Sequence, residues 1–512
     1  MAQPGHVHPA TLAPLSNVEW TPTSAMDDAI GLAREAQKVW ADVPFEDRCA
    51  RVVAIARRIL LHREEALDLL EEETGRDRAE SLLGEVAFVL SYAKGAVAVA
   101  RRALAPERVR LSPLDHPGKR AVIEAVPRGV VAIIEPWNYP LLQFYKPLFP
   151  ALLSGNAVVL KPSEHTPRSG AWLAEQCAAE LPPGVVQVVQ GDGAIGGALV
   201  AADVDAVVFC GSVATGRRVA AKCAERLVPC SVELGGKDAA IVLEDCNLDR
   251  TVAGVLQWSM HNAGQDCSSI ERVYVVDEIG DRFVERLSAA VGRLKVVPEG
   301  RDVGPLQNEG QLDVVRAHVE DAVERGAEVR AGGAPTGQGH GFQPTVLDRC
   351  TAEMKVVTDE TFGPVIAVIR VPDERTAIAL ANASRYGLCG SVWTRDLKRG
   401  ERVARELDVG IALVNNHSFP GSVPQIPWTG TKWTGTGVAA SAHAYGTFVR
   451  RRTVVVDGSS RPDVFWKPVD HSLHELGEAA SGFALGAWSQ LFRLISLVGQ
   501  RVAAIRDLVR RP

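Results

Sequence analysis

An α/β chain with two parallel-sheet domains in series is the fold class this sequence predicts. Three observations predict it. Short apolar, β-branched runs recur, each closed by a turn residue. Helical stretches separate them. The runs fall into two series along a chain of 512 residues, too long for one small core. Apolar strands alternating with helices are the pattern of βαβ units, whose crossover helices cover both faces of a parallel sheet.

Residues 24–106 read as helices. SAMDDAIGLAREAQKVWADV carries apolar residues at helical spacing, with Ser24 as the expected N-cap and Asp27 three positions on. RCARVVAIARRILLHREEALDLLEEETG continues the pattern and stops at Gly75. The first strand series is VVAIIEP (130–136), AVVLKP (157–162), VVQVVQG (185–191), AVVFCGS (206–212) and DAAIVLED (238–245). The second is RVYVVD (272–277), PTVLDR (344–349), PVIAVIRV (364–371), CGSVWT (389–394) and GIALVN (410–415). KRAVIEAVPRGVVAI (119–133) and GTFVRRRTVVVDG (446–458) alternate or carry arginines, which suits an exposed antiparallel arm that pairs between subunits.

Net charge is −6, with 46% apolar and 23% charged residues, as expected of a soluble globular protein. No basic excess exists to release counterions, so no nucleic-acid partner is expected. Nine cysteines are scattered without CxxC pairs or zinc-site spacing. They read as reduced thiols, no metal is expected, and a cytoplasmic location follows. The start, MAQPGHVHPATLAP, has no basic region followed by an apolar one, so no secretory signal is read there.

Several short motifs follow strand ends, and each has a plain structural explanation of its own. AVVFCGSVATGR (206–217) is strand, Gly-Ser and helix start, an arrangement that offers free N–H groups to phosphate. GDGAIGGAL (191–199) is a second Gly-rich turn, and neither is a strict GxGxxG. In LKPSEHTP (160–167), Lys161 and Glu164 could straddle a ribose or simply be solvated. Asn138 of PWNYP (136–140) could donate to an oxyanion or only stiffen a turn. Glu233 of VELGGKDAAIV (232–242) sits in an apolar setting and either pairs at a strand end or has a raised pKa suited to a general base. Cys267 of HNAGQDCSSIERVYV (261–275) is a small buried hydrophobe or a nucleophile.

Taken together, VELGGK, the Cys of GQDC 34 positions after Glu233, PWNYP, KPSE, FCGSVATG, ETFGPV (360–365) and NNHS (415–418) resemble the aldehyde dehydrogenase superfamily of the NAD(P)-dependent, hydrolytic type. The motifs stand in that family's order over roughly residues 25–457. The resemblance implies a Rossmann-like nucleotide-binding domain, an α/β catalytic domain and a β-arm for oligomerisation. On this chain those are 1–118 with 134–232, then 233–440, then 119–133 with 441–457, followed by an extension at 458–512.

The resemblance also implies roles. Cys267 is the nucleophile that forms a thiohemiacetal and then a thioester. Asn138, with the Cys267 N–H, holds the oxyanion. Glu233 activates the hydrolytic water, a residue that coenzyme A-dependent relatives tend to lack. Lys161 and Glu164 match the adenosine-ribose positions, and a Glu there favours NAD, with NADP as the alternative. Gly211, Ser212 and Gly216 match the pyrophosphate turn. Glu360 and Phe362 match positions around the nicotinamide, Trp137 lies beside the cofactor pocket, and Lys146 resembles a site-lining lysine. The expected reaction is aldehyde to carboxylic acid in a homodimer or homotetramer. A succinate-semialdehyde-specific enzyme is the alternative, and a catalytically silent binding member of the fold is the reading from another class.

Asp266, directly before Cys267, would oppose a thiolate if both faced one pocket. Facing the substrate tunnel, it would attract cationic aldehydes such as aminoaldehydes, whereas SSIERVYV resembles relatives that oxidise succinic semialdehyde. In the extension, Trp488, Leu491, Phe492, Ile495, Val498, Val502, Ile505 and Val509 fall on one helical face, with Arg493, Arg501, Arg506, Arg510 and Arg511 supplying charge. The longest uncharged run, 479–492, is shorter than the roughly 20 residues of a membrane span. Residues 479–511 therefore read as a basic amphipathic helix that lies on an anionic membrane surface or packs on its own or a partner subunit.

Overall fold

The computed structural model describes residues 6–16, 18–112, 116–296 and 301–510. Arg511 of the extension and residues 1–5 of the expected nucleotide-binding segment lie outside them. The chain divides into two compact units, Met1–Ala105 with Ala125–Arg450, and Pro106–Glu124 with Arg451–Pro512.

In the first unit, helices α1 (Met26–Asp42), α2 (Phe45–Leu61) and α3 (Val89–Ala103) precede a five-stranded sheet. Its strands are β1 (Val130–Ile134), β2 (Ala157–Lys161), β3 (Val186–Val188), β4 (Ala206–Gly211) and β5 (Cys230–Leu234). They run parallel in the order β3-β2-β1-β4-β5. Helices α4 (Leu142–Leu153), α5 (Pro167–Ala178), α6 (Gly193–Ala201) and α7 (Val213–Glu225) make the crossovers. The strand period of two divides the burial between faces. Val131 and Ile133 pack with α2, α3, α4 and α5, whereas Val130, Ala132 and Ile134 pack with α1, α6 and α7. Both faces are covered, so the strands read as unbroken apolar runs.

A seven-stranded sheet follows: β6 (Asp238–Val242), β7 (Ile270–Val276), β8 (Glu328–Ala331), β9 (Thr345–Asp348), β10 (Val365–Val371), β11 (Cys389–Trp393) and β12 (Ile411–Val414). The order is β8-β9-β10-β7-β6-β11-β12, all parallel except the edge strand β8. Helix α8 (Leu248–Met260) links β6 to β7 and delivers the chain to the GQDC turn.

Several expectations are corrected. Residues 238–245 belong to the second series, because β6 pairs with β7 and β11. The fifth strand of the first sheet is β5, which Ser231 and Glu233 hide from an apolar-run reading. The arm does not extend over 119–133. One strand ends at Pro127, which has no N–H to donate, Gly129 turns the chain, and β1 enters the sheet centre. Nor does the arm begin at 441. Tyr445 and Phe448 form a helical turn buried among α3 and α4, and the arm strand is Val449–Asp457. Ser24 caps nothing. A 3-10 turn covers Thr23–Ala25 and α1 starts at Met26, with Asp27 and Asp28 at its positive end.

Strands Glu107–Val109, Lys119–Pro127 and Val449–Asp457 form a three-stranded sheet, whose segments 107–109, 119–124 and 451–457 belong to the second unit; the last strand is at its edge and exposed along most of its length. Residues 106–112 and 116–118, expected with the nucleotide-binding segment, group with this arm. Two helices complete the unit, α9 (His471–Ala484) and α10 (Gln490–Arg510).

Candidate active site

The ends of parallel strands carry the candidate residues, as the fold class dictates. β1 ends at Ile134, and the chain turns through Glu135, Trp137 and Asn138. Asn138 is buried, and its Nδ2 donates to Gln265 O at 3.1 Å. An amide nitrogen has two N–H groups, so one remains to face a developing oxyanion. The turn itself is clamped. A buried Arg76–Glu85 ion pair sits beneath it. Arg76 donates to Asn138 O at 3.2 Å, and the Glu85 carboxylate accepts from Leu141 N and Leu142 N at 2.8 and 3.0 Å. Asn262, with φ at 52°, donates to the same Asn138 carbonyl at 2.8 Å. These clamping residues carry no local sequence signal, because each acts on a segment far away in the chain.

Cys267 follows a turn held by Gln265, whose side chain bonds Asn262 O, Pro305 O and Gln307 N. The thiol lines a cleft with about 220 Å³ of open room, walled by Phe88, Tyr92, Tyr139, Leu142, Trp258, Phe419 and Trp428. Asp266 lines the same cleft, which settles its direction. Its carboxylate accepts from Tyr139 Oη at 2.9 Å, Ser268 N at 2.9 Å and Ser268 Oγ at 2.8 Å. Burial, and then the Asp266 charge, push the Cys267 thiol well above its ordinary value. The resting group is therefore a thiol.

Glu233 lies on β5, its neighbour across the sheet being Cys210 of β4. It faces a second, much smaller cavity of about 20 Å³, room for one water, shared with Glu135, Cys210 and Ser231. Gln143 and Lys146 of α4 line both this cavity and the cleft of Cys267, so they form the partition between the two. Burial raises Glu233 to about 7, against the pull of the Lys146 charge. Glu135, buried with Oε2 unpartnered, is raised well above the carboxylate range by burial and by Glu233.

The glycines of VELGGK permit close approach. A Cβ on Gly236 would drive into the Cys267 carbonyl oxygen, and one on Gly235 into the Glu360 carboxylate. Gly236 N donates to Glu360 Oε1 at 2.9 Å. The next residue, Lys237, forms a fully buried pair with Glu271. Glu271 in turn accepts from Thr361 N and Phe362 N at 2.8 and 2.9 Å, fixing the ETFGP loop. Glu360 is raised to about 8, chiefly by burial and then by Glu271. Sequence reasoning passed over Lys237 and Glu271. The signal was present as a lone carboxylate inside the apolar run IERVYV, since a buried charge requires a partner.

The remaining residues form a second face. Lys161, buried at the end of β2, lies 3.7 Å from the part-exposed Glu164 carboxylate. Ser212 caps α7, its Oγ accepting from Thr215 N at 3.3 Å, so the helix start points free N–H groups outward beside Gly211. Gly216 lets α7 rest on Leu234, whose side chain would collide with a Cβ. Trp137 meets Phe362 edge-on at 5.5 Å. A polar pair suited to ribose hydroxyls, a helix N-terminus suited to pyrophosphate, and the carboxylate of Glu360 suited to a second ribose all fit a dinucleotide. When bound, that group supplies the hydride acceptor.

Residues 4–454 match the profile described as "Aldehyde dehydrogenase family". The chain belongs to the aldehyde dehydrogenase family. It is 37% identical over 465 residues to the 4,4'-diapolycopene aldehyde oxidase of Methylomonas sp, covering 90% of this chain and 87% of that one. It is 37% identical over 434 residues to a Mycobacterium ulcerans protein named for NADP(+)-type succinate-semialdehyde dehydrogenase, covering 83% of each. A Mycobacterium tuberculosis aldehyde dehydrogenase solved with NAD+ superposes with a TM-score of 0.84 at 32% identity, covering 89% of this chain and 95% of that one. This aldehyde dehydrogenase is thus an NAD(P)-dependent oxidoreductase acting on aldehyde groups.

Proposed function

We propose that the enzyme oxidises an apolar or aromatic aldehyde to its carboxylic acid through a covalent intermediate on Cys267. The observation that carries this reading is the paired arrangement of Cys267 in an aromatic cleft and Glu233, at about 7, across the Gln143–Lys146 partition. Glu233 takes the thiol proton, and Cys267 Sγ attacks the carbonyl carbon. The free N–H of Asn138 and the Cys267 N–H hold the oxyanion. Loss of hydride leaves a thioester on Cys267. Glu233 gives the thiol proton up to solvent, then removes a proton from water, which attacks the thioester, and acid and Cys267 thiolate depart.

The substrate class follows from the walls. Among the described residues no arginine lines the cleft, and the lysine that does, Lys146, is buried at the partition. Asp266 would repel a second carboxylate. This disfavours succinate semialdehyde, despite the name carried by the Mycobacterium ulcerans relative, and favours uncharged aldehydes. Asp266 also spends its oxygens on Tyr139 and Ser268, so a cationic aldehyde gains little there. The exposed edge strand Val449–Asp457 supports a homo-oligomer, testable by light scattering. Nine free cysteines support a cytoplasmic location, testable by fractionation.

The deciding experiment follows NADH or NADPH absorbance with aliphatic, aromatic, amino- and carboxy-aldehydes, using Cys267→Ala as control. Turnover of apolar aldehydes that vanishes in the variant supports the reading. A preference for carboxy-aldehydes overturns the substrate class, and turnover by Cys267→Ala overturns the mechanism.

A further inference from the structure

The C-terminal helix pair presents a surface that catalysis does not use. α9 and α10 pack through a small core of Leu476, Ala479 and Leu497, with Val464 and Leu494 against it. Arg501 is fully buried rather than a surface charge. It donates to Val464 O, Pro468 O and the Asp470 carboxylate at 3.0, 2.8 and 2.8 Å, tying the preceding loop to α10. Ile505 also turns inward. The helix is therefore held on one side only.

Its other side is apolar and open. Trp488, Phe492, Ile495 and Val509 are 73%, 80%, 64% and 78% exposed. Phe492, Ile495, Gly499, Val502, Arg506 and Val509 recur along α10 at alternating steps of three and four as one stripe, and Trp488 stands in the turn before it, where the helix expected over 479–511 is broken between α9 and α10. Arg506 stands within the stripe and Arg510 beside it. Exposed apolar stripes of this size mark an interaction surface. Charge decides its partner. Of the four arginines of α10, Arg501 is buried on Asp470 and Arg493 pairs with Glu475, which leaves Arg506 and Arg510, with Asp507, as the charges at the end of the stripe in a chain of net charge −6. Two copies meeting stripe to stripe would set Arg506 against its own kind if parallel, or against Phe492 with no counter-charge if antiparallel, whereas anionic headgroups complement Arg506 and Arg510. Among the described residues, the helix with the length and hydropathy of a membrane span is Arg78–Ala103, not α10.

We propose that α10 lies on the surface of an anionic phospholipid bilayer, seating Trp488, Phe492 and Ile495 among the acyl-chain ends with Arg506 and Arg510 at the headgroups. The inference does not rest on the catalytic reading. It does place an enzyme with an aromatic, arginine-free cleft where apolar aldehydes partition.

The test is flotation of the full-length protein with vesicles of phosphatidylcholine alone or mixed with phosphatidylglycerol. Three proteins are compared: wild type, Phe492→Asp/Ile495→Asp and Arg506→Glu/Arg510→Glu. Equal melting temperatures confirm folding, and light scattering reports mass. Wild type is expected to float with anionic vesicles only, and less so at high salt. The charge-reversed protein is expected to lose at least about thirtyfold in partitioning. The apolar variant is expected to stay with the soluble fraction at unchanged mass. Absence of wild-type flotation, equal flotation of the variants, or a fall in molar mass on apolar substitution that assigns the stripe to a second copy, each overturns the proposal.

Discussion

Glu233→Gln separates the stability of this enzyme from its chemistry. Burial raises the Glu233 carboxyl from 4.5 to about 7. For an acid raised in the folded state, the charged form is the disfavoured one. Below the unfolded value of 4.5 both states are protonated and nothing is lost. As pH rises toward 7 the folded state holds a proton that the unfolded state has released, and the destabilisation grows until both are ionised. The shift corresponds to about 3 kcal/mol, and because Glu233 is only half-buried, solvent screening reduces this to roughly 2 kcal/mol. Glutamine keeps the shape and never ionises. The variant is therefore expected to melt with the wild type near pH 4.5 and higher above pH 7, by roughly 2 °C for a chain of this size. Melting is followed by differential scanning fluorimetry in steps between those pH values, at one scan rate because large chains unfold irreversibly. In parallel, NADH release should be slowed in its first turnover, since no base takes the Cys267 thiol proton, and should stop after about one equivalent per active subunit, since none activates water. A melting difference that does not change with pH, or a variant that keeps turning over, would refute the assignment of Glu233 as the base.

Cys267→Ala should abolish the burst itself, a loss of at least about a thousandfold read by the same absorbance assay. Asp266→Asn removes the nearest charge raising the thiol, so Cys267 alkylation by iodoacetamide, followed by peptide mass spectrometry, should speed up at fixed pH. A rate equal to wild type would show that burial alone sets the thiol. Asn138→Ala should lower kcat by about a hundredfold or more with little change in KM, and a change confined to KM would count against an oxyanion role. Glu164→Gln should raise the NADP-to-NAD ratio of kcat/KM by about tenfold, because a 2′-phosphate no longer meets a carboxylate. An unchanged ratio would put cofactor choice elsewhere.

The strands that sit inside sheets were legible, because burial on both faces makes them continuous apolar runs. β5 was not, and the reason is instructive. Its polar residues, Ser231 and Glu233, line the small cavity. A strand that carries catalytic groups breaks the pattern by which strands are found. Motif residues were legible in the same measure as they were adjacent in sequence. Gly235, Gly236 and Glu360 meet in space, but only the local words LGGK and ETFGP announced them. Arg76, Glu85, Asn262 and Gln265 converge on PWNYP from separate segments, and no short window contains them. The arm was misjudged at both ends for a local reason. A single Pro-Arg-Gly step divides a half-buried strand from a fully buried one, and a helical turn of aromatics divides the core from the other arm strand.

The partition by Gln143 and Lys146 explains how one burial event can serve two opposed requirements. A thioester must be shielded until a water is delivered to it, and a general base must be desolvated to work near neutral pH. Placing Glu233 in a cavity sized for one water, with Lys146 at the wall, meets both. Burial lifts the carboxyl toward 7, and the lysine keeps it from rising so far that it would stay protonated. Lys146 also lowers the Cys267 thiol, against burial and Asp266. Removing that charge should then move both groups upward together. Lys146→Met is expected to shift the acidic limb of kcat and the alkylation profile of Cys267 to higher pH in the same protein. A shift in one without the other would mean that the two cavities are electrostatically separate, and that the partition isolates the groups rather than tuning both.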